Sequence, residues 1–184
     1  MEKTKPSIFR TIISMMISPA SALKSAVAGI PWFFSFAVSA LAFALFFMQT
    51  GLDLYKTGQK GLQFVMLSAG AGLVYGLTVI PLLGAIIWLV LKLTKSDKSL
   101  GWAISSFCLS YSGALIYGIC GILFSFFFGW KTSIAFGVTG VLWATGPIIM
   151  SIREMTGGKS TLSIPLATIA GAVVLFTWSF FGQI

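Results

Sequence analysis

Two long apolar runs decide what this chain can fold into. Residues 61–91 and 99–130 carry no charged side chain, and between them lies KLTKSDK, with Lys92, Lys95, Lys98 and Asp97. About 20 residues cross a bilayer at a 1.5 Å rise per residue. Each run therefore reads as a spanning helix and the basic heptad as the turn between them. Backbone in hydrocarbon must satisfy its own hydrogen bonds, and a helix does so within one segment.

The rest of the chain agrees with that reading. It is 57% hydrophobic and 9% charged, with a mean hydropathy of +0.98; soluble domains carry about 25% charged residues. A chain of 184 residues has too little interior to hide so much apolar surface from water. Net charge is +8. The basic residues are dispersed and form no recognition module, so they point to membrane orientation and not to nucleic acid. There is no histidine, which removes imidazole metal sites, Ser–His and Cys–His pairs and imidazole proton relays. Cys108 and Cys120 stand about 18 Å apart on one helix, too far for an intrahelical disulfide. The expected molecule is a single domain, not an enzyme, with no cofactor.

Taken in order, residues 1–29 open with Lys3, Lys5 and Arg10. A cleavable signal would need a longer apolar run than Ile12–Ile17, which Ser14 interrupts. Ile8, Phe9, Ile12, Ile13 and Met16 share a helical face instead, so the segment predicts an amphipathic helix in the membrane interface, ended by Pro19, with a short second helix after it. Five spans follow at about 31–49, 62–91, 100–129, 132–152 and 164–181. Pro31 and Pro165 open the first and last. Pro81 and Pro147 kink the second and fourth. Residues 50–60 read as a polar loop, and Ser160 or Ser163 as the cap of the last helix. Gly70, Gly72 and Gly76 form one small-residue face for helix contact, and Gly113, Gly118, Gly121, Gly137, Gly140, Ala144 and Gly146 supply others.

Lys3, Lys5, Arg10, Lys24, Lys92, Lys95, Lys98, Arg153 and Lys159 fall on one side of this topology, against Lys56, Lys60 and Lys131 on the other. The positive-inside rule then places the N-terminus in the cytoplasm and the C-terminus outside.

Three motifs suggest chemistry. The predicted spans hold no charged residue, which speaks against ion-coupled transport. Thr156-Gly157-Gly158-Lys159-Ser160-Thr161 looks like the end of a phosphate loop, but Arg153 stands where the pattern needs glycine and no strand precedes it. It reads as a polar connection. The hydroxyls of Ser105, Ser106, Ser110, Tyr111 and Ser112 are expected to bond helix carbonyls or neighbouring helices. The alternative is a passive channel or small-molecule transporter, its cavity lined by Tyr75, Pro81, Ser106, Ser110, Tyr111, Tyr117 and Pro147. Lys92, Lys95, Lys98, Arg153 and Lys159 are the candidate contacts to anionic lipid headgroups or a partner.

Three stretches resemble the Yip (Ypt/Rab-interacting protein) superfamily in its small prokaryotic form. Phe9-Arg10 through Ser18-Pro19-Ala20 to Pro31-Trp32 is similar to its segment before the first span. Trp88–Lys92 through Ser99-Leu100 to Ser110-Tyr111-Ser112 is similar to its second hairpin. Ile152-Arg153-Glu154 through Thr156-Gly157 and Lys159 is similar to its Arg-Glu loop. The resemblance implies five spans, a cytoplasmic N-terminus and a prokaryotic cytoplasmic membrane. In eukaryotic relatives it implies binding to Rab-type GTPases. Here the family's Asp-Leu-Tyr-Gly-Pro element is missing, since Asp53-Leu54-Tyr55 is followed by Lys56 and lies on the non-cytoplasmic side. GTPase binding is therefore not carried over. The expected role is a scaffold or adaptor that self-associates through its glycine faces and meets the bilayer.

Overall fold

The computed structural model describes residues 8–25, 27–93, 96–158 and 160–181. Lys3, Lys5, Lys95 and Lys159 lie outside them, as does the Ser160 side chain. The described residues are helical, with no strand. Short helices α1 (Ile8–Ile17) and α2 (Pro19–Ser25) precede a 3-10 turn at Val27–Gly29. Then come α3 (Trp32–Lys56), α4 (Leu62–Lys92), α5 (Leu100–Ser110), α6 (Ser112–Phe128), a π-helical turn at Ser133–Val138, α7 (Thr139–Met155) and α8 (Ser160–Phe181). Five of these rods are long and apolar enough to cross a membrane, with α5–α6 counting as one and the π-turn with α7 as another. The bundle's outer surface is apolar, with Met66, Leu67, Leu82, Leu89, Phe127 and Phe176 all exposed.

Antiparallel α3 and α4 form the most extensive helix pair, because Gly72 and Gly76 let their backbones meet. A Cβ at Gly76 would stand 2.7 Å from Ala40 Cα, and one at Gly72 would stand 2.8 Å from the Phe43 carbonyl carbon. Ser39 Oγ donates across the contact to the Gly76 carbonyl at 2.9 Å. Gly70 does not join this face: it is exposed and nothing lies within 4 Å of where its Cβ would be. Two residues turn a helix by about 200°, so Gly70 and Gly72 cannot share a side. Gly146 is open in the same way.

Several boundaries differ from the expected ones. α3 runs to Lys56 and absorbs most of the predicted loop, because Thr50, Gly51 and Leu52 are buried and a Cβ at Gly51 would touch Val65 Cα at 2.9 Å. The third rod is not one helix. It breaks at Tyr111, whose N–H turns back to the Cys108 carbonyl at 3.3 Å. α8 starts at Ser160, so Pro165 sits inside it and leaves the Thr161 carbonyl without its usual donor. Ser163 is buried within α8 and is not its cap.

The N-terminal helices pack along the bundle and do not ring one of its ends. α1 lies against α6 and α5, and α2 against α7. Thr11 and Met15 are the buried line of α1, while Phe9 and Ile17 are exposed. Of the expected stripe, Phe9 is exposed and Ile12, Ile13 and Met16 are half-buried. Trp143 Nε1 donates to the Met16 carbonyl at 3.4 Å, and a Cβ at Gly113 would meet the same indole. Gly113 is about 20 Å along its rod from Leu100, so α1 meets the bundle near mid-height.

Candidate functional site

The predicted cavity residues fall into separate groups. Tyr75 and Tyr111 converge on Phe43, with ring centroids 5.1 and 4.9 Å away. Tyr117 lies elsewhere, 6.1 Å from Trp143. The serine hydroxyls turn to backbone: Ser106 donates to the Ala103 carbonyl at 2.9 Å, Ser110 to Ser106 at 2.8 Å, and Ser112 to Leu109 at 2.6 Å. The last two straddle the break at Tyr111, and both bond carbonyls of α5. Pro81 and Pro147 are buried within α4 and α7. Gly84, nearly one turn on from Pro81, packs against Ile104 and Phe107, so this side of α4 meets α5 in direct contact. The Tyr75 hydroxyl is buried without a hydrogen bond of ordinary geometry. Thr177 lies beside it, but its hydroxyl donates to the Val173 carbonyl at 2.7 Å.

Two other interior polar groups tie helices together. Gln49 Nε2 donates to the Gly118 carbonyl at 3.0 Å, linking α3 to α6. Trp178 Nε1 donates to Thr50 Oγ1 at 2.8 Å, linking α8 to α3. Such bonds are worth roughly 0.6–2 kcal/mol each in an apolar medium.

At the Lys98 end, the predicted headgroup contacts are partly occupied. Lys92 Nζ sits 5.6 Å from the Trp88 ring and Lys98 Nζ 4.9 Å from the Trp102 ring. Trp88 Nε1 donates to the Lys98 carbonyl at 2.9 Å. Lys98 also approaches Glu154 at 3.9 Å, joining the α4–α5 turn to the end of α7. This pair is solvent-accessible, so Glu154→Gln should change unfolding stability by less than about 1 kcal/mol in a chemical-denaturation series. The guanidinium of half-buried Arg153 makes no hydrogen bond or ion pair with a described residue. The fragment that resembled a phosphate loop is a helix ending. The Gly158 N–H bonds the Arg153 carbonyl at 2.8 Å, with Gly157 and Gly158 at φ of 63° and 94°. This is a Schellman cap, which glycine favours because it carries no Cβ.

The most built site lies at the opposite end. Asp53 and Lys56, one turn apart on α3, hold the α6–α7 connection between them. Asp53 accepts from the Thr132 N–H, 3.0 Å from each carboxylate oxygen, and from the Ser133 N–H at 2.8 Å. Lys56 Nζ donates to the Ser125 carbonyl at 2.7 Å, to Ser125 Oγ at 2.6 Å and to the Trp130 carbonyl at 2.9 Å. The anion meets the positive N-terminal end of the π-turn and the cation meets the negative C-terminal end of α6, so both helix dipoles are complemented. A Schellman cap then ends α3: the Gln59 N–H bonds the Leu54 carbonyl and the Gly58 N–H the Tyr55 carbonyl, both at 3.0 Å, with Gly58 at φ 72°. This turn brings Thr57 and Gln59 over the start of the π-turn. The result is an open cleft of about 430 Å³ lined by Asp53, Leu54, Thr57, Gln59, Lys131, Ser133, Ile134 and Ala135.

Sequence reasoning missed this clasp, having placed Asp53 and Lys56 in a loop. The available signal was the i, i+3 spacing of the two charges behind a helical apolar pattern. No family model, curated protein or solved structure matches the chain.

Proposed function

We propose that this chain is a non-enzymatic, multi-pass membrane scaffold, built to hold a fixed helical platform and not to move solutes through its centre. The observation that carries the reading is the use of the interior hydroxyls. Ser106, Ser110 and Ser112 donate to carbonyls of their own rod, and the neighbouring α3–α4 seam is closed by backbone contact at Gly72 and Gly76. A conducting path would need those polar groups turned toward a continuous cavity.

In this reading the five apolar helices span the bilayer with the Lys92, Lys98 and Arg153 end in the cytoplasm, as the positive-inside rule prefers. α3 then begins on the cytoplasmic side and α8 ends outside. The resemblance to the Yip superfamily supports the same topology and a prokaryotic cytoplasmic membrane. Gly72 and Gly76 are engaged within the chain, so self-association would use other surfaces, among them the open positions at Gly70 and Gly146. The Arg153 guanidinium, without a partner among the described residues, is the cytoplasmic group best placed to meet an anionic headgroup.

The test is flux. Purified protein in liposomes loaded with an ion-sensitive dye and a set of small neutral solutes should leave permeability at the level of empty vesicles. Protein-dependent flux abolished by Ser110→Leu would overturn the scaffold reading in favour of the channel.

A further inference from the structure

The cleft beside the Asp53–Lys56 clasp has a particular electrostatic shape. Lys131 and Asp53 line the same space, yet among the described residues the ion pair within 4.0 Å is Lys98–Glu154. The two opposite charges therefore face one cleft without meeting. Lys131 makes no hydrogen bond, ion pair or ring contact with a described residue. Lys56 is held by Ser125 and Trp130, and Lys60 lies 5.1 Å from the Phe64 ring. Lys131 is thus the uncommitted cation at this end.

Asp53 keeps accepting capacity, since a carboxylate offers about four lone-pair sites and three contacts from two N–H groups are made. The Gln59 amide and the Thr57 and Ser133 hydroxyls add polar groups, while Leu54, Ile134 and Ala135 make the rest of the wall apolar. A volume of about 430 Å³ is within the range of small-molecule sites. Ile134 is exposed at the lip, next to the apolar flank of the bundle.

We infer that this cleft binds a zwitterion of the phosphoethanolamine class, its phosphate on Lys131 and its primary ammonium on Asp53. A single anion would be repelled by the carboxylate and a single cation by the lysine. A molecule with both charges, spaced apart, satisfies both. The ammonium must carry N–H groups to reach the free lone pair on Asp53, so a quaternary choline head lacks the donor. The inference goes beyond the scaffold reading and does not depend on it, because a conducting chain would keep the same cleft.

The test is a titration of the purified full chain in detergent, read by native mass spectrometry. The probes are dioleoyl phosphatidylethanolamine, the phosphatidylcholine and phosphatidylglycerol with the same chains, and soluble glycerophosphoethanolamine. The ethanolamine lipid should bind roughly tenfold more tightly than the choline lipid, the loss expected for one missing charge-assisted hydrogen bond. Asp53→Asn should remove that preference, Lys131→Gln should weaken retention of the ethanolamine and choline lipids alike, and Lys60→Gln should leave both intact. Competition by the soluble head would show that the head alone is recognised. Binding of the diacyl form only would show that Leu54 and Ile134 hold part of the chain as well. Equal retention of all three lipids, a preference unchanged by Asp53→Asn, or retention unchanged by Lys131→Gln would overturn the inference.

Discussion

Gly76→Val should lower the thermal unfolding midpoint of the purified chain by about 10 °C, while Gly70→Ala, six residues away, should raise it by about 2 °C. The two glycines occupy the same helix but meet different surroundings. At Gly76 even a Cβ would stand 2.7 Å from Ala40 Cα, and its other close neighbours are the backbone atoms of Ser39. Backbone cannot rotate aside as a flexible side chain can, so α3 and α4 would have to separate. Separation also lengthens the bond from Ser39 Oγ to the Gly76 carbonyl, 2.9 Å in the parent. Overpacking costs about 1–3 kcal/mol where side chains give way; here the upper end applies. At Gly70 the surroundings are empty, so alanine adds about 0.5–1 kcal/mol through helix propensity and a less flexible unfolded chain. Circular dichroism melts of both variants in one detergent would decide. Equal shifts of the same sign would mean that the α3–α4 seam is not held by backbone contact.

This pair also shows how much of the fold was legible. The five apolar rods follow from hydropathy, because a 20-residue charge-free run has few other ways to satisfy its backbone. The position of each glycine relative to the seam was available too, since 100° per residue separates Gly70 from Gly72. Reading Gly70, Gly72 and Gly76 as one face ignored that rotation. The end of α3 was harder. Gln49-Thr50-Gly51 is polar and small, as loops are, yet Gln49 bonds the Gly118 carbonyl, Thr50 accepts from Trp178, and Gly51 lies on α4. Those partners lie far along the chain, and no local pattern reports them. The break at Tyr111 is marked only by Ser-Tyr-Ser, a triplet equally at home inside a continuous helix. The charges of the clasp were visible and their roles were not, because Asp53 acts on backbone N–H groups 79 and 80 residues away.

Asp53→Ala should destabilise the chain by roughly 2–3 kcal/mol, enough to lower the midpoint by about 5–10 °C. The carboxylate satisfies the Thr132 and Ser133 N–H groups, which open the π-turn and have no earlier carbonyl to bond. An ordinary N-cap is worth about 1 kcal/mol; a charged acceptor serving two donors beside a helix dipole is worth more. Lys56→Met removes bonds to two carbonyls and a hydroxyl, but the lysine is exposed, so screening reduces its loss to about 1 kcal/mol. The two side chains grip opposite ends of the same short connection, Gly129–Thr132, so their effects should not add. Once either end is released, the connection loosens and the other contact loses value. A double-mutant cycle should therefore give a coupling of at least about 0.5 kcal/mol. Asp53→Asn separates charge from shape, since it keeps one acceptor oxygen and should fall between parent and alanine. A cycle that closes to zero, with each single change still destabilising, would show two independent caps. An Asp53→Ala midpoint within a degree of the parent would show that the π-turn is held by the burial of Thr132 and Gly137 against α3, and not by the carboxylate.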